Sequence, residues 1–167
     1  MRRIFVVAAL AALIMSCSQQ APKVEHLRVE GTALMNESGD TVELKGMSFG
    51  WNVLWPRFYN AQAVKHVVKD WDAELVRAAI GVEIDDDECQ VENYLKNPEF
   101  GKQCACTIVD AAIENGVYVL VDWHAHGLHT EAAVEFFTYM ATNDKGVPDV
   151  IYEIWNEPSY KDHINQI

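Results

Sequence analysis

Four apolar runs begin near residues 44, 75, 117 and 149, and each gap between them is long enough to hold a helix. Val117-Tyr118-Val119-Leu120-Val121 is continuous rather than alternating, the pattern of a strand covered on both faces. The other runs are Leu44 to Phe49, Leu75 to Ile80 and Val150 to Trp155. Helical spacing occupies Ala61 to Lys69 and about Lys102 to Asn115, where Gly116 supplies a stop signal. A third helix is expected from Thr130, as its cap, to about Ala141, with Glu131 in the first turn. Strand–helix alternation of this kind predicts a parallel sheet with helices packed outside it.

No Gly-x-Gly-x-x-Gly and no phosphate loop follows any of these strands, which argues against a nucleotide-binding sheet. Trp, His, Arg, Asn and Glu gather at the strand C-termini instead, the habit of a (β/α)8 TIM barrel in the α/β class. Ahead of the first strand, Leu27 to Thr32 and Thr41 to Leu44 alternate apolar with polar around the turn-rich Asn36-Glu37-Ser38-Gly39-Asp40. That spacing predicts a β-hairpin. The formal net charge of −12 disfavours a phosphate-backbone partner, so no nucleic acid is expected.

The first residues read as an address. Met1-Arg2-Arg3 is basic, and Ile4 to Met15 is an unbroken apolar run of twelve residues, about 18 Å as a helix and too short to span a bilayer. A basic start, a short apolar run and a small residue before the cut define a secretory signal. Ile14-Met15-Ser16-Cys17 is similar to a bacterial lipobox, so 1–16 are read as a lipoprotein-type signal peptide and Cys17 as the lipidated residue. A tether follows over 17–23. The expected location is the cell envelope, or otherwise the medium, with the membrane touched only through the anchor on Cys17. Outside the cytoplasm a disulfide from Cys89 to Cys104 or Cys106 is permitted.

Ile154-Trp155-Asn156-Glu157-Pro158 is the stretch richest in chemistry. A Glu at the end of a buried strand, fixed by the following Pro, is placed to face a cleft, where burial would raise its pKa toward that of a general acid. The competing reading is a surface or N-capping Glu at the start of another helix. His124-Ala125-His126, with His129, has a His-x-His spacing like that of metal-dependent amidohydrolase barrels, but those place it after the first strand and add ligands downstream, whereas here it follows the third, and no metal is assigned. Glu83, Asp85, Asp86, Asp87 and Glu88 lack the Gly and terminal Glu of an EF-hand and read as a solvated loop.

Lys45-Gly46-Met47-Ser48, Val76-Arg77-Ala78-Ala79-Ile80-Gly81-Val82-Glu83, Val121-Asp122-Trp123-His124 and Val150 to Pro158 together resemble glycoside hydrolase family 5. They are especially similar to its bacterial endo-β-1,4-glucanases, or cellulases. The blocks stand in family order over about residues 27–160. The resemblance implies a (β/α)8 barrel that hydrolyses a β-glycosidic bond with retention, using two carboxyls about 5–5.5 Å apart. It implies Glu157 as acid/base after barrel strand 4, and Asn156 as a hydrogen-bonding partner of the sugar 2-hydroxyl. Arg77, after strand 2, would sit beside the nucleophile, and His124, after strand 3, would bond within the same floor. An ion pair of Arg77 with Glu153 is the structural alternative. Trp51 and Trp55, in the loop after strand 1, would stack on sugar rings or, in the alternative reading, pack over the barrel rim. Gly50 stands where some members carry a sugar-binding His. The implied partner is a β-glucan polysaccharide, with no cofactor.

Length sets the remaining expectation. A barrel of this kind takes about 250 residues, and about 150 follow Cys17. Residues 24–167 are therefore read as the N-terminal half of the catalytic barrel, a hairpin plus about four βα units. The family nucleophile, a Glu after strand 7, has no counterpart in these residues, so the 167-residue chain alone is expected to be inactive. The alternative is a non-catalytic surface glycan-binding lipoprotein, or half of a split barrel.

Overall fold

The computed structural model describes residues 24–144 and 147–158. The expected signal peptide, Cys17 and the tether lie outside them. Strands β1 (Arg28–Glu30) and β2 (Ala33–Met35) form an antiparallel hairpin. Strands β3 (Gly46–Trp51), β4 (Leu75–Gly81), β5 (Tyr118–His124) and β6 (Val150–Glu153) then form one parallel sheet in that order. Helices α1 (Ala61–Asp70), α2 (Pro98–Asn115) and α3 (Thr130–Asp144) occupy the three crossovers. The arrangement is that of successive βα units from a (β/α)8 barrel, as the alternation predicts. None of the described helices is long and apolar enough to cross a membrane.

Strand periodicity of two sorts the side chains. Val76, Ala78 and Ile80 of β4 and Val119, Val121 and Trp123 of β5 are buried, and they join the helices in one apolar core. Trp123 packs its ring 5.3 Å from Phe136 of α3 and 4.9 Å from Tyr94. The alternate residues, Arg77, Ala79 and Gly81 on β4, Leu120, Asp122 and His124 on β5, and Glu153 on β6, share the opposite face. Register aligns them: Ala79 lies beside Asp122, Gly81 beside His124, and Asp122 beside Glu153. Leu120 is only half-buried, so the continuous apolar run is fully covered on the helix side alone.

Several boundaries differ from the sequence reading. The hairpin turns at Gly31 (φ 62°), not at 36–40, and the expected strand at 41–44 is reduced to a single bridge from Thr41 to Met35. Asn36 to Asp40 does form a tight turn, closed by the Asp40 amide donating to Asn36 Oδ1 at 2.8 Å. Helix α2 starts at Pro98 rather than near Lys102, because Asn97 caps it through Phe100 N–H and Pro98 fits the first helical position. Thr130 is the first residue of α3 rather than its cap, and the preceding residue, His129, has φ 40°. Strand β6 ends at Glu153, and the chain bends from Ile154 onward.

No disulfide joins Cys89, Cys104 and Cys106. Cys104 is buried on α2, where burial raises its thiol to about 11, whereas Cys106 Sγ lies 4.0 Å from Met140 Sδ. Cys89 sits in the loop after β4, with its Sγ 3.5 Å from Asp86 Oδ1.

Gly116 ends α2 as expected, in the left-handed region at φ 68°, and its amide donates back to the Ala112 and Ile113 carbonyls. Gly116→Ala should therefore cost about 1 kcal/mol in urea unfolding, because a Cβ is strained at that φ.

Candidate active site

The helix-free face of the sheet carries one charged network. Arg77 is the third residue of β4, not a residue beyond it, and its side chain reaches along the sheet past the small Ala79. Its Nε donates to Glu153 Oε2 at 2.9 Å, and its Nη2 lies 2.8 Å from both Asp122 Oδ2 and Asn156 Oδ1. The expected Arg77–Glu153 ion pair is present. Burial opposes the charge on Arg77, but the Glu153 hydrogen bond and the Asp122 charge outweigh it and hold its pKa above the ordinary value.

Asp122 is fully buried and is the centre of this network. Its Oδ2 also lies 2.6 Å from His124 Nδ1, which fixes the imidazole with Nδ1 toward Asp122. His124 is the last residue of β5, and its ring packs, tilted by 60°, 4.4 Å from that of Trp51, the last residue of β3. Burial raises the Asp122 carboxyl above the usual carboxylate range, against the pull of His124 and Arg77. Two buried polar atoms of this floor have no protein hydrogen-bond partner, Asp122 Oδ1 and Asn156 Nδ2.

Glu157 differs from expectation in one respect. It lies four residues beyond β6, in the bend, and its side chain is 73% exposed rather than buried in a cleft. The chain has already left the sheet, so no described strand or helix covers it. Its Oε2 lies 3.6 Å from His126 Nε2.

Trp55 is not brought to the charged floor. It lies half-exposed in a groove along β3 and α1 with Phe58 and Trp71, and Arg57 stacks on its ring at 5.0 Å. Gly50 explains the departure noted in the sequence. It has φ 69° at an irregularity of β3, and a Cβ there would stand 2.7 Å from Trp55 Cδ1, so a His would be both strained and obstructed.

Two residues of this region were not singled out from sequence. Asp122 stands alone as a charge within an otherwise apolar strand, and a buried charge requires a partner. That signal was available. Glu83, read as part of a solvated loop, is instead half-buried. Its Oε1 accepts the backbone amides of His126 and Gly127 at 2.6 and 3.2 Å. Asp85 to Glu88 are exposed, as expected. Among the described residues no group of three or more His, Cys, Asp or Glu is arranged to hold a metal ion.

Comparison with known proteins adds the family. Residues 35–167 match the model of the cellulases, glycosyl hydrolase family 5. The chain is 34% identical over 165 residues to endoglucanase Z of Dickeya dadantii (strain 3937), covering 94% of this chain and 37% of that one. It is 35% identical over 132 residues to an endoglucanase of Halalkalibacter akibai, covering 75% of this chain and 16% of that one. A solved structure from Cytophaga hutchinsonii superposes with a TM-score of 0.74 at 39% identity, over 81% of this chain and 44% of that one. The catalytic domain of Thermobifida fusca endoglucanase Cel5A gives 0.68 at 29% identity, over 81% and 45% respectively. A variant of that catalytic domain has been solved in complex with cellotetraose. The chain thus spans less than half the length of each of these relatives.

Proposed function

The chain belongs to glycosyl hydrolase family 5, and on that premise we propose that it supplies the N-terminal half of an exported, retaining endo-β-1,4-glucanase. The names of its relatives and the cellotetraose complex of one of them support a β-glucan substrate. The coverage of relatives supports a barrel completed by further βα units.

One observation carries the reading. Arg77 claims Asn156 Oδ1, so Nδ2 is the amide atom left over, and it is buried without a protein acceptor. A hydroxyl-bearing ligand satisfies such a donor, and a contact to the sugar 2-hydroxyl strengthens in an oxocarbenium-like transition state. Arg77 holds the amide in that orientation, and Glu153 and Asp122 hold Arg77 in turn.

In this reading Glu157 donates its proton to the leaving glycosidic oxygen while a second carboxylate attacks the anomeric carbon. A covalent glycosyl-enzyme forms and the shortened chain departs. Glu157, now ionised, takes a proton from water, whose oxygen displaces the nucleophile and restores the starting configuration. The nucleophile would be a Glu from a later strand. Trp51, against His124, offers an aromatic wall for a sugar ring, and Trp55 is assigned to an outer subsite. Cys17 would carry a lipid anchor at the cell envelope.

The test is stereochemical. The full-length protein, given cellohexaose in an NMR tube, should release product first as the β-anomer, with the α-anomer appearing later by mutarotation. Initial α-anomer would overturn retention, and no cleavage of any β-glucan would overturn the enzyme reading.

A further inference from the structure

His126 was weighed from sequence only as half of a metal pair, yet the structure holds it at nearly every polar atom. Its backbone N–H donates to Glu83 Oε1 at 2.6 Å, and its carbonyl accepts Trp155 Nε1–H at 3.3 Å. Its ring centroid lies 6.1 Å from that of Trp51. Its Nδ1 stands 3.4 Å from Glu83 Oε1, and its Nε2 stands 3.6 Å from Glu157 Oε2. Three loops, those after β4, β5 and β6, therefore meet through one imidazole.

The loop is built for this. Gly127 donates a second amide to Glu83, and a Cβ at Gly127 would press within 3.0 Å of His129 Nε2. His129 adopts φ 40°, and its Nε2 comes 3.4 Å from Glu83 Oε2. Backbone strain at a non-glycine residue persists where the surroundings over-determine it. Here Glu83 is that determinant.

We propose that His126, clamped by Glu83, is a positioning residue for Glu157, holding its carboxyl in place through the contact at Nε2. The proposal rests on the assignment of Glu157 as acid/base. The charged groups facing His126 are Glu83 on one side and Glu157 on the other, with His129 sharing Glu83. The clamp fixes where the Glu157 carboxyl stands relative to the loops after β4 and β5, and displacing a reacting group by about 1 Å costs about 10²-fold in rate.

The experiment uses the full-length protein. Values of kcat and KM are measured for wild type, His126→Gln and Glu83→Gln on an unactivated β-glucan and on an aryl glycoside with an acidic phenol, and NMR follows the backbone amide of Glu157. Loss of the clamp should lower kcat on glucan by about 10²-fold, the cost of displacing a reacting group by about 1 Å, with KM little changed. The aryl glycoside, which needs no proton at departure, should lose far less in kcat/KM. The Glu157 amide resonance should move in both variants. An unmoved amide would overturn the proposal whether or not the protein cleaves glucan. A moved amide with kcat unchanged would uphold the contact and overturn its catalytic role. Inactivity of the wild type would instead count against the glucanase reading, leaving the Glu157 amide to decide the contact.

Discussion

Replacing Glu157 by Gln in the full-length protein is expected to lower kcat on an unactivated β-1,4-glucan by about 10³- to 10⁴-fold, the upper range for general acid–base catalysis. The leaving group is a sugar alkoxide, which departs poorly unless protonated, and Gln supplies no acidic proton. The substitution keeps the shape of a side chain that is 73% exposed, so folding should be untouched. An aryl glycoside with an acidic phenol needs no proton at departure. On that substrate the first step should lose far less, and in the proposed mechanism the loss should move to the second step, where Glu157 would serve as base. The measurement is kcat/KM, which reports the first step, and kcat, which also reports the second, on both substrates. Equal losses on the two would point to a binding role for Glu157, and a loss below tenfold on glucan would remove it from the chemistry.

The second large effect concerns stability. Arg77→Ala is expected to cost about 3 kcal/mol in urea unfolding at neutral pH, the low end for breaking a buried ion pair. The low end applies because His124 still faces Asp122 and because Arg77 itself is partly exposed. The deficit should depend on pH. Burial has already raised the Asp122 carboxyl. A carboxyl whose folded pKa is raised contributes stability fully below its unfolded value of about 3.9, and that contribution is lost as pH rises through the folded value. Without Arg77 the folded value climbs further, so the loss should be smaller near pH 4 than near pH 7. Arg77→Lys should restore only part, because an ammonium cannot bridge Glu153, Asp122 and Asn156 with a planar fork. Equal deficits at both pH values would mean that Asp122 does not carry the effect.

Much of this was legible in the residues. The 117–121 run, the stop at Gly116 and the helix at 61–69 announced their elements directly, and the alternation announced the parallel sheet. The pairing of Arg77 with Glu153 was also readable, because two opposite charges inside apolar strands have few other partners. Less legible was whatever depends on contacts between loops. Glu83 looks solvated in an acidic string, and only the approach of the 126–129 loop half-buries it. The exposure of Glu157 was missed because β6 stops at Glu153, two residues before the apolar pattern does. The hairpin was found but its turn was misplaced, since Gly31 competes with a stronger turn signal at 36–40.

Each strand of the parallel sheet after β3 pairs with the strand before it in the chain. Such a sheet can grow in the order of synthesis, with every crossover closing a loop of modest length. The charged network then acts as a check on that growth. A slip of β5 by one residue would turn Asp122 into the helix layer and leave Arg77 facing an apolar side chain. The same error on β6 would withdraw Glu153. Alignment of three strands, drawn from positions 77, 122 and 153, is thus proofread by a single guanidinium before any substrate is met.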